Sequence, residues 1–234
     1  MVSVLTLLGC AMGWAENASA ALIDRGPDMV YDTVLDVTWT RDAGLSGNQL
    51  TWQQANNWAD TLVLGGFDDW RLPLISVSGL NYPANASELF QIACAVGGVG
   101  SSEEIACRDN ELAYMYWYNL QGPFGAVPQP GQNVTGDQTA RGGEKIANIQ
   151  LAYWSGTAFD PNDPRSAWLF NFGGFRPQGG TPPGGYFELG VKAFPFAAWA
   201  VRDGDVITVP EPASGLLLVS GLASLGFTRR KRKA

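Results

Sequence analysis

The chain has 234 residues, of which 46% are hydrophobic and 16% charged, with a net charge of −7. This length can bury one sizeable core and predicts one domain of ordinary size. The 29 glycines and 14 prolines predict many loops, but nine tryptophans, eleven phenylalanines and seven tyrosines exclude a disordered chain, which lacks large apolar groups. We expect a loop-rich globular fold with a mostly aromatic core.

The amino-terminal residues 2–15 form an uncharged apolar run, and Ala18-Ser19-Ala20 follows it. This order is typical of a secretory signal peptide with a small-x-small cleavage site. We predict a signal peptide over residues 1–20, with a buried core helix as the alternative. Leu7-Leu8-Gly9-Cys10 loosely resembles a lipoprotein box, although it lies early in the chain for one.

The next segment predicts three strands and then a helix. The predicted strands are Leu22–Asp24, Met29–Asp32 and Asp36–Thr40, with turns at 26–27 and 33–35. Thr51 is the expected N-cap of the helix. Its apolar face is formed by Trp52, Ala55, Ala59 and Leu62, at helical spacing. Gly65-Gly66 is expected to end it.

Residues 67–73 predict a compact turn that places Trp70 and Leu72 in the core. Further helices are predicted over 86–96 and 110–120, with a loop between the two cysteines Cys94 and Cys107. The Gly-, Pro-, Gln- and Asn-rich residues 122–143 predict a long mobile loop. The remaining predicted elements are strands, at 149–155, 167–172, 186–189 and 194–202.

Cys94 and Cys107 remain once the signal peptide is removed. In an oxidising compartment, two cysteines separated by a Gly/Ser-rich loop predict a disulfide, with two free thiols as the alternative. The chain has no Cys-x-x-Cys pair, so a redox role is not expected.

The carboxyl terminus has three parts in a fixed order. Val209-Pro210-Glu211-Pro212 precedes an uncharged stretch over 213–227, and Arg229-Arg230-Lys231-Arg232-Lys233 follows. The stretch is shorter than the usual span of about 20 residues, but flanking cations can snorkel to the headgroups. Because five cations cross hydrocarbon at high cost, we predict a transmembrane segment over 213–227 with the body of the chain outside.

These residues resemble the PEP-CTERM sorting signal of exopolysaccharide-producing Gram-negative bacteria, here placed at residues 209–234. The resemblance implies recognition by an exosortase, transient anchoring in the inner membrane and cleavage near Pro210–Pro212. Release to the outer surface or extracellular matrix would follow. An ordinary single-pass tail anchor is the alternative.

Removal of both ends makes the remaining chain more acidic. Residues 21–209 carry 10 basic and 20 acidic groups, a net charge of −10. This charge disfavours nucleic acid and anionic lipid as partners. Cations and neutral polysaccharide remain compatible.

A second resemblance covers residues 22–207. The segments that carry it are Val30-Tyr31-Asp32, Val37-Thr38-Trp39, Leu50-Thr51-Trp52, Asp69-Trp70-Arg71-Leu72-Pro73, Tyr153-Trp154-Ser155-Gly156-Thr157, Ala167-Trp168 and Ala200-Val201-Arg202-Asp203-Gly204. They are similar to the carboxyl-terminal domain of a collagen-like bacterial adhesin, the Lcl C-terminal domain. The corresponding globular domain is predicted over 21–208.

This resemblance implies an α+β, C-type-lectin-like fold, loop-rich, with short twisted antiparallel sheets, two or three helices, and first and last strands close together. The short carboxyl-terminal hydrophobic helix is added to it. Members of the family commonly carry a Glu soon after the Trp-Arg-Leu-Pro turn, whereas residues 74–86 intervene here before Glu88. The fold is related to that of formylglycine-generating enzymes, but Cys94 and Cys107 do not occupy the positions of their active-site cysteines.

Two groups of residues are candidate ligand contacts. Arg71 and Arg202 either tie loops together or clamp an anionic sugar. The other group comprises tryptophans on late strands that either form core or stack on sugar rings, namely Trp154, Trp168 and Trp199.

Metal binding and catalysis receive little support from the residues. Asp160 and Asp163 flank an acidic turn that could hold Ca²⁺, or simply initiate a turn through their own backbone. The chain contains no histidine, which excludes Ser-His-Asp and Cys-His catalysis. Asp68 and Asp69 are adjacent and are expected to act in a turn. We predict no cofactor and no enzymatic activity.

The sequence therefore predicts an exported, non-catalytic, lectin-like module that contacts exopolysaccharide or another matrix component. A structural biofilm or floc matrix protein without a specific ligand is the first alternative. A glycoside hydrolase that acts through paired carboxylates is the second.

Overall fold

A computed structural model describes five segments of the chain, residues 22–76, 102–120, 134–160, 163–173 and 184–206. The predicted signal peptide, the predicted helix over 86–96 and the predicted transmembrane segment lie outside these residues. No helix within the five segments is long and apolar enough to cross a membrane. The described chain forms small antiparallel sheets with few helices and many loops, as an α+β fold does.

The first sheet joins the beginning of the described chain to its end. It contains β1 (Leu22–Asp24), β2 (Met29–Asp32), β3 (Val37–Thr40) and β9 (Val201–Asp203), in the order β1-β2-β3-β9. The three early strands confirm the prediction, although β3 begins one residue late because Asp36 has a positive φ of 54°. The strand predicted over 194–202 is mostly irregular and becomes regular only at Val201.

Helix α1 spans Trp52–Asp60 and begins where the sequence predicts. The Thr51 side chain accepts a hydrogen bond from the Gln54 backbone N–H, and the Gln54 side chain accepts one from the Thr51 backbone N–H, forming a capping box. Ala55 and Ala59 are buried, as the helical face predicts. The end predicted at Gly65-Gly66 is wrong, because Thr61 closes the helix by donating its hydroxyl to the Asn57 carbonyl at 2.7 Å.

A second helical region lies in the middle of the chain. It contains α2 (Ser102–Cys107), α3 (Glu111–Tyr114) and a five-residue π-helix (Met115–Asn119). The helix predicted over 110–120 is confirmed, although its second half is a π-helix and not an α-helix. The loop predicted between the two cysteines is wrong at its end, where α2 lies.

A two-stranded hairpin follows, with β4 (Gly136–Thr139) paired to β5 (Lys145–Ile149). The mobile loop predicted over 122–143 is therefore wrong from residue 136 onward. Strand β4 is polar and largely exposed, so it shows none of the alternation that marks a half-buried strand. Its partner β5 holds it by burying Ile146 and Ile149.

The third sheet is a meander of β6 (Ala152–Asp160), β7 (Asp163–Asn171) and β8 (Tyr186–Val191). These strands confirm three predicted strands with shifted bounds. Strand β6 begins three residues late and runs on to Asp160, β7 begins four residues early, and β8 ends two residues late. The register places Trp154 opposite Leu169 and Trp168 opposite Leu189.

The core is aromatic, as the composition predicts. The largest fully buried side chains are Trp39, Trp70, Trp154, Trp168, Trp199, Tyr114, Tyr116, Tyr118, Tyr153, Phe170, Phe172 and Phe187. Many of their rings meet at steep angles, for example Tyr153 and Phe172 at 86° with 5.3 Å between centroids. Such edge-to-face contacts add stability beyond the area that is buried.

Gly190 on β8 leaves room for the side chains of Trp154 and Leu169, which pack against its Cα. A Cβ at this position would lie 2.6 Å from Trp154 Cζ3 and 2.7 Å from Leu169 Cδ2. We expect Gly190→Ala to lower the free energy of unfolding by about 3 kcal/mol, because overpacking a rigid aromatic core is costly. Urea denaturation of the purified protein measures this change.

Gly156→Ala is the matched control on β6, the other outer strand of the same sheet. A Cβ there would meet Leu74 and Leu72 at 3.3 to 3.5 Å, close to ordinary contact distance. We expect it to change stability by about 1 kcal/mol or less. Equal effects of the two substitutions would contradict the packing described here.

Candidate functional site

The last described residues leave the fold from a firmly held strand. Strand β9 pairs with β3 on one side, and Arg71 and Val201 exchange two backbone hydrogen bonds of 2.8 and 2.9 Å on the other. Beyond the strand, Val206 is only 3% exposed and joins a hydrophobic cluster with Met29 and Trp70. The chain is therefore anchored up to Val206.

Arg202 on β9 binds Asp69, which lies in the irregular segment after Phe67. Its Nε and Nη2 donate to the two Asp69 carboxylate oxygens at 2.7 and 2.8 Å, and its guanidinium lies 4.2 Å from the centroid of the Phe67 ring. The hydrogen bond from Arg202 lowers the pKa of Asp69 below its ordinary value. Asp69 thus binds Arg202 from an irregular segment, and the predicted turn lies just before it, at residues 65–66.

Arg71 joins three parts of the fold. Its Nη1 and Nη2 donate to the Glu111 carboxylate at 2.8 and 2.7 Å, and its Nη2 also donates to Asp203 at 2.5 Å. Glu111 accepts a further bond from the Leu74 backbone N–H at 2.7 Å. The guanidinium groups of Arg71 and Arg202 are therefore occupied by carboxylates of the protein. These contacts are of the kind expected if the two arginines tie loops together, and the anionic-sugar clamp stays a prediction.

A third pair joins the two ends of the described chain. Arg25 Nε and Nη2 donate to the two Asp205 carboxylate oxygens at 2.6 and 2.7 Å, across 180 residues of sequence. This hydrogen bonding lowers the pKa of Asp205. The Arg25 guanidinium also lies 5.3 Å from the centroid of the Tyr31 ring. Neither Arg25 nor Asp205 belongs to a recognisable sequence pattern, so sequence reasoning missed this pair.

The tryptophans on late strands lie inside the protein. Trp154, Trp168 and Trp199 have no exposed surface. Trp154 Nε1 donates to the Leu50 carbonyl and Trp199 Nε1 to the Thr40 carbonyl, both at 2.9 Å. Their interpretation as a sugar-stacking face is therefore wrong, because rings buried between packed elements cannot meet a ligand.

An exposed aromatic surface lies elsewhere, where α1 begins. Phe194 is 57% exposed, and Lys192 Nζ lies 4.3 Å from the centroid of the half-buried Trp52 ring. The Trp52 backbone N–H donates to the Lys192 carbonyl at 3.0 Å, so the two segments touch. We call Trp52, Lys192 and Phe194 the aromatic surface. Sequence reasoning assigned Trp52 to a core face and Phe194 to a strand, and so missed it.

The acidic turn at Asp160 and Asp163 is not part of a cluster of metal-ligand side chains within the described residues. Asp160 and Asp163 face each other where β6 turns into β7, and residues 161–162 between them lie outside the description. No cluster of three or more Cys, Asp or Glu side chains suited to a metal ion occurs in the described segments. The Ca²⁺ site suggested by these two aspartates thus lacks further carboxylate ligands there.

Cys107 is fully buried at the end of α2. Cys94 lies outside the described residues. The disulfide between Cys94 and Cys107 therefore stays a prediction.

A family profile described as the PEP-CTERM protein-sorting motif matches residues 208–233. The sorting signal predicted from the sequence is confirmed, and it begins two residues after Val206. The motif indicates an exported, membrane-transiting protein of a Gram-negative bacterium that an exosortase processes during export. No curated protein and no solved structure is significantly similar to the chain. The predicted C-type-lectin-like domain has no support from a family profile or a structural neighbour.

Arg71→Ala is expected to lower the free energy of unfolding by about 3 kcal/mol, because it leaves the charge of Glu111 buried without its cation. Glu111 is only 8% exposed, so water replaces the guanidinium poorly. Urea denaturation measures the loss.

Two further variants test whether geometry matters as well as charge. Arg71→Lys keeps the charge but loses the paired donors, so we expect it to restore only part of the stability. Lys145→Ala, at an exposed lysine on β5, is expected to change stability by no more than about 0.5 kcal/mol. An Arg71→Ala protein as stable as Lys145→Ala would contradict this assignment.

Proposed function

We propose that this protein is an exported, non-catalytic component of the cell surface or extracellular matrix, in which the folded domain acts as a compact structural unit. The sorting motif at residues 208–233 carries the export part of the proposal. An exosortase would cut near Pro210–Pro212 and release the domain from its transient inner-membrane anchor. The folded domain supports the structural part.

The absence of catalysis is supported by the residues that could have performed it. The chain has no histidine. The buried carboxylate of Glu104 accepts two hydrogen bonds from Arg108, at 2.8 and 2.9 Å, and one from Tyr114 at 2.7 Å. Asp32 is also buried, which raises its pKa, and it accepts hydrogen bonds from the backbone and from Asn119. Carboxylates held in this way are structural acceptors rather than accessible acids or bases.

The structural role is supported by ion pairs between arginines and carboxylates within the domain. Arg25, Arg71 and Arg202 all bind carboxylates of the protein itself. Each pair joins segments that are distant in sequence, which limits local opening of the kind that proteases attack. A domain of this construction is suited to persist outside the cell.

Replacement of Pro210, Glu211 and Pro212 by alanine tests the sorting step. We expect the full-length chain to accumulate in the membrane fraction, with its body outside, because the exosortase no longer recognises the tail while the apolar stretch and the basic cluster still hold it. Fractionation and immunoblotting of the producing bacterium measure this. Pro195→Ala, at an exposed proline within the folded domain, is the control and should be sorted normally.

Deletion of the gene tests the matrix role. We expect flocs or biofilm to lose cohesion while the amount of polysaccharide stays constant. Unchanged cohesion in the deletion strain would contradict the structural role. In the wild-type strain, full-length protein in the cytosol would contradict export.

Contact with exopolysaccharide is a second candidate function, favoured by the aromatic surface. Phe194 is the aromatic residue among the strongly exposed large apolar side chains of the described segments. Phe194 lies two residues along the chain from Lys192, whose Nζ contacts the half-buried Trp52 ring, and its exposed ring offers a place for a sugar to stack. This candidate retains the predicted lectin-like role but moves it away from the three buried tryptophans.

Phe194→Ala tests this contact. We expect a several-fold loss of retention on the producer's own polysaccharide, measured by affinity electrophoresis, because the stacking ring is removed. Val63→Ala is the control, since Val63 is 70% exposed and lies beyond the carboxyl end of α1. Equal retention of wild type, Phe194→Ala and Val63→Ala would exclude the aromatic surface as a binding site.

A further inference from the structure

Arg141, in the turn between β4 and β5, has no carboxylate partner in the described segments. Five other described arginines each bind a carboxylate of the protein, namely Arg25, Arg41, Arg71, Arg108 and Arg202. The side-chain hydrogen bond of Arg141 goes instead to a main-chain carbonyl, that of Trp117, at 3.0 Å from Nη2. Arg141 therefore departs from the way in which the domain treats its other guanidinium groups.

The fold explains where Arg141 lies but not how its charge is balanced. Its backbone N–H donates to the Asn119 carbonyl at 2.8 Å, so Arg141 contacts two carbonyls at the end of the π-helix. Carbonyls carry only partial charges and do not neutralise a guanidinium. Burial lowers the pKa of Arg141, and the nearby Tyr114 and Tyr118 raise it. The groups that act on this partly desolvated cation are thus tyrosine hydroxyls and not carboxylates.

The surface beside Arg141 is open. A guanidinium has five N–H donors, and Nε and Nη1 of Arg141 make no hydrogen bond in the described segments and are not sealed from solvent. Gly142 and Gly143, the next two residues, are exposed and have no side chain to cover the guanidinium. A Cβ on Gly143 would meet nothing within 4 Å. A group from outside the protein can therefore reach Arg141.

The neighbouring chain does not supply the missing carboxylate. Glu144 lies in the same turn, but its carboxylate accepts a hydrogen bond from Arg41 Nη1 at 3.1 Å. Residues 121–133, which precede the hairpin in sequence, contain no Asp or Glu. A partly buried cation without a counter-charge costs free energy, which the other arginines recover through paired carboxylates. An anion from outside would do the same for Arg141.

We propose that Arg141 binds a carboxylate group of an acidic polysaccharide at the turn between β4 and β5. A guanidinium fork matches a carboxylate through two parallel hydrogen bonds, as it does at Asp69 and Asp205. The exposed Lys145, four residues later, adds a second cation to this hairpin. The choice of a polysaccharide as the source of the carboxylate rests on the proposed place of the protein in the matrix.

The acidity of the whole domain does not prevent this contact. Residues 21–209 carry a net charge of −10, which repels an anionic polymer at long range. Charges farther apart than about 8 Å are largely screened at physiological ionic strength. The guanidinium in direct contact with the ligand therefore outweighs carboxylates elsewhere on the surface.

Affinity electrophoresis of the full chain in a neutral detergent tests the site. The native gels contain either polygalacturonate, an acidic polymer, or dextran, a neutral one. We expect several-fold stronger retardation in polygalacturonate, and we expect it to weaken as salt is added because the ion pair is screened. Equal retardation by the two polymers, or none by polygalacturonate, would overturn the proposal without recourse to any variant.

Arg141→Gln tests the residue itself. Its amide can still donate to the Trp117 carbonyl, but the charge is lost, so we expect the apparent dissociation constant for polygalacturonate to rise about tenfold. Arg141→Lys keeps the charge without the fork and should recover part of the binding. Arg165→Gln, at an exposed arginine on β7, changes the net charge equally and should bind as wild type does. Equal losses in Arg141→Gln and Arg165→Gln would overturn the site.

Inorganic phosphate separates a polymer site from a site for small anions. We expect phosphate and chloride of equal ionic strength to weaken the retardation of wild type equally. Release by phosphate alone would assign Arg141 to small oxyanions and overturn the polysaccharide as its ligand. Failure of this proposal leaves the export and the structural role standing, because fractionation and matrix cohesion test those separately.

Discussion

The fold depends on the closure of the first sheet by its last strand. Strand β9 completes the sheet by pairing with β3, and the Arg25–Asp205 pair fastens the end of the chain beside its beginning. Arg71 and Arg202 add two further connections from the same region, to Glu111 and Asp69. Because bidentate pairs of arginine and carboxylate require one geometry, they fix where the chain leaves the domain. The sorting signal starts immediately after this fixed point.

The aromatic core explains why the three candidate tryptophans do not form a sugar-binding surface. Trp154, Trp168 and Trp199 fill the space between the sheets, where their rings pack against other aromatic side chains. A large ring gains more free energy from full burial than from a half-exposed position on a strand. The protein therefore uses most of its tryptophan for stability, and a smaller set around Phe194 is left at the surface.

Local signals predicted much of the fold correctly. Strands β1 to β3 follow from short runs bounded by turns, and the start of α1 follows from Thr51 as an N-cap. The exposed strand β4 carries no such signal and was missed. The tail could be recognised because its three parts are contiguous in sequence, whereas the pairing of Arg25 with Asp205 depends on the completed fold. Exposure of Phe194 and burial of Trp199, seven and two residues before β9, are likewise decided by tertiary packing and not by residue type.

The long sequence separation within the first sheet has a consequence for the timing of export. Strand β3 can acquire its partner β9 only after almost the whole domain has emerged from the translocation channel, and the cost of closing so long a loop slows this step. The sheet would thus be completed at about the moment when the predicted transmembrane segment reaches the bilayer. Arrest of the tail in the membrane would give the newly emerged domain time to close its sheet before it is released.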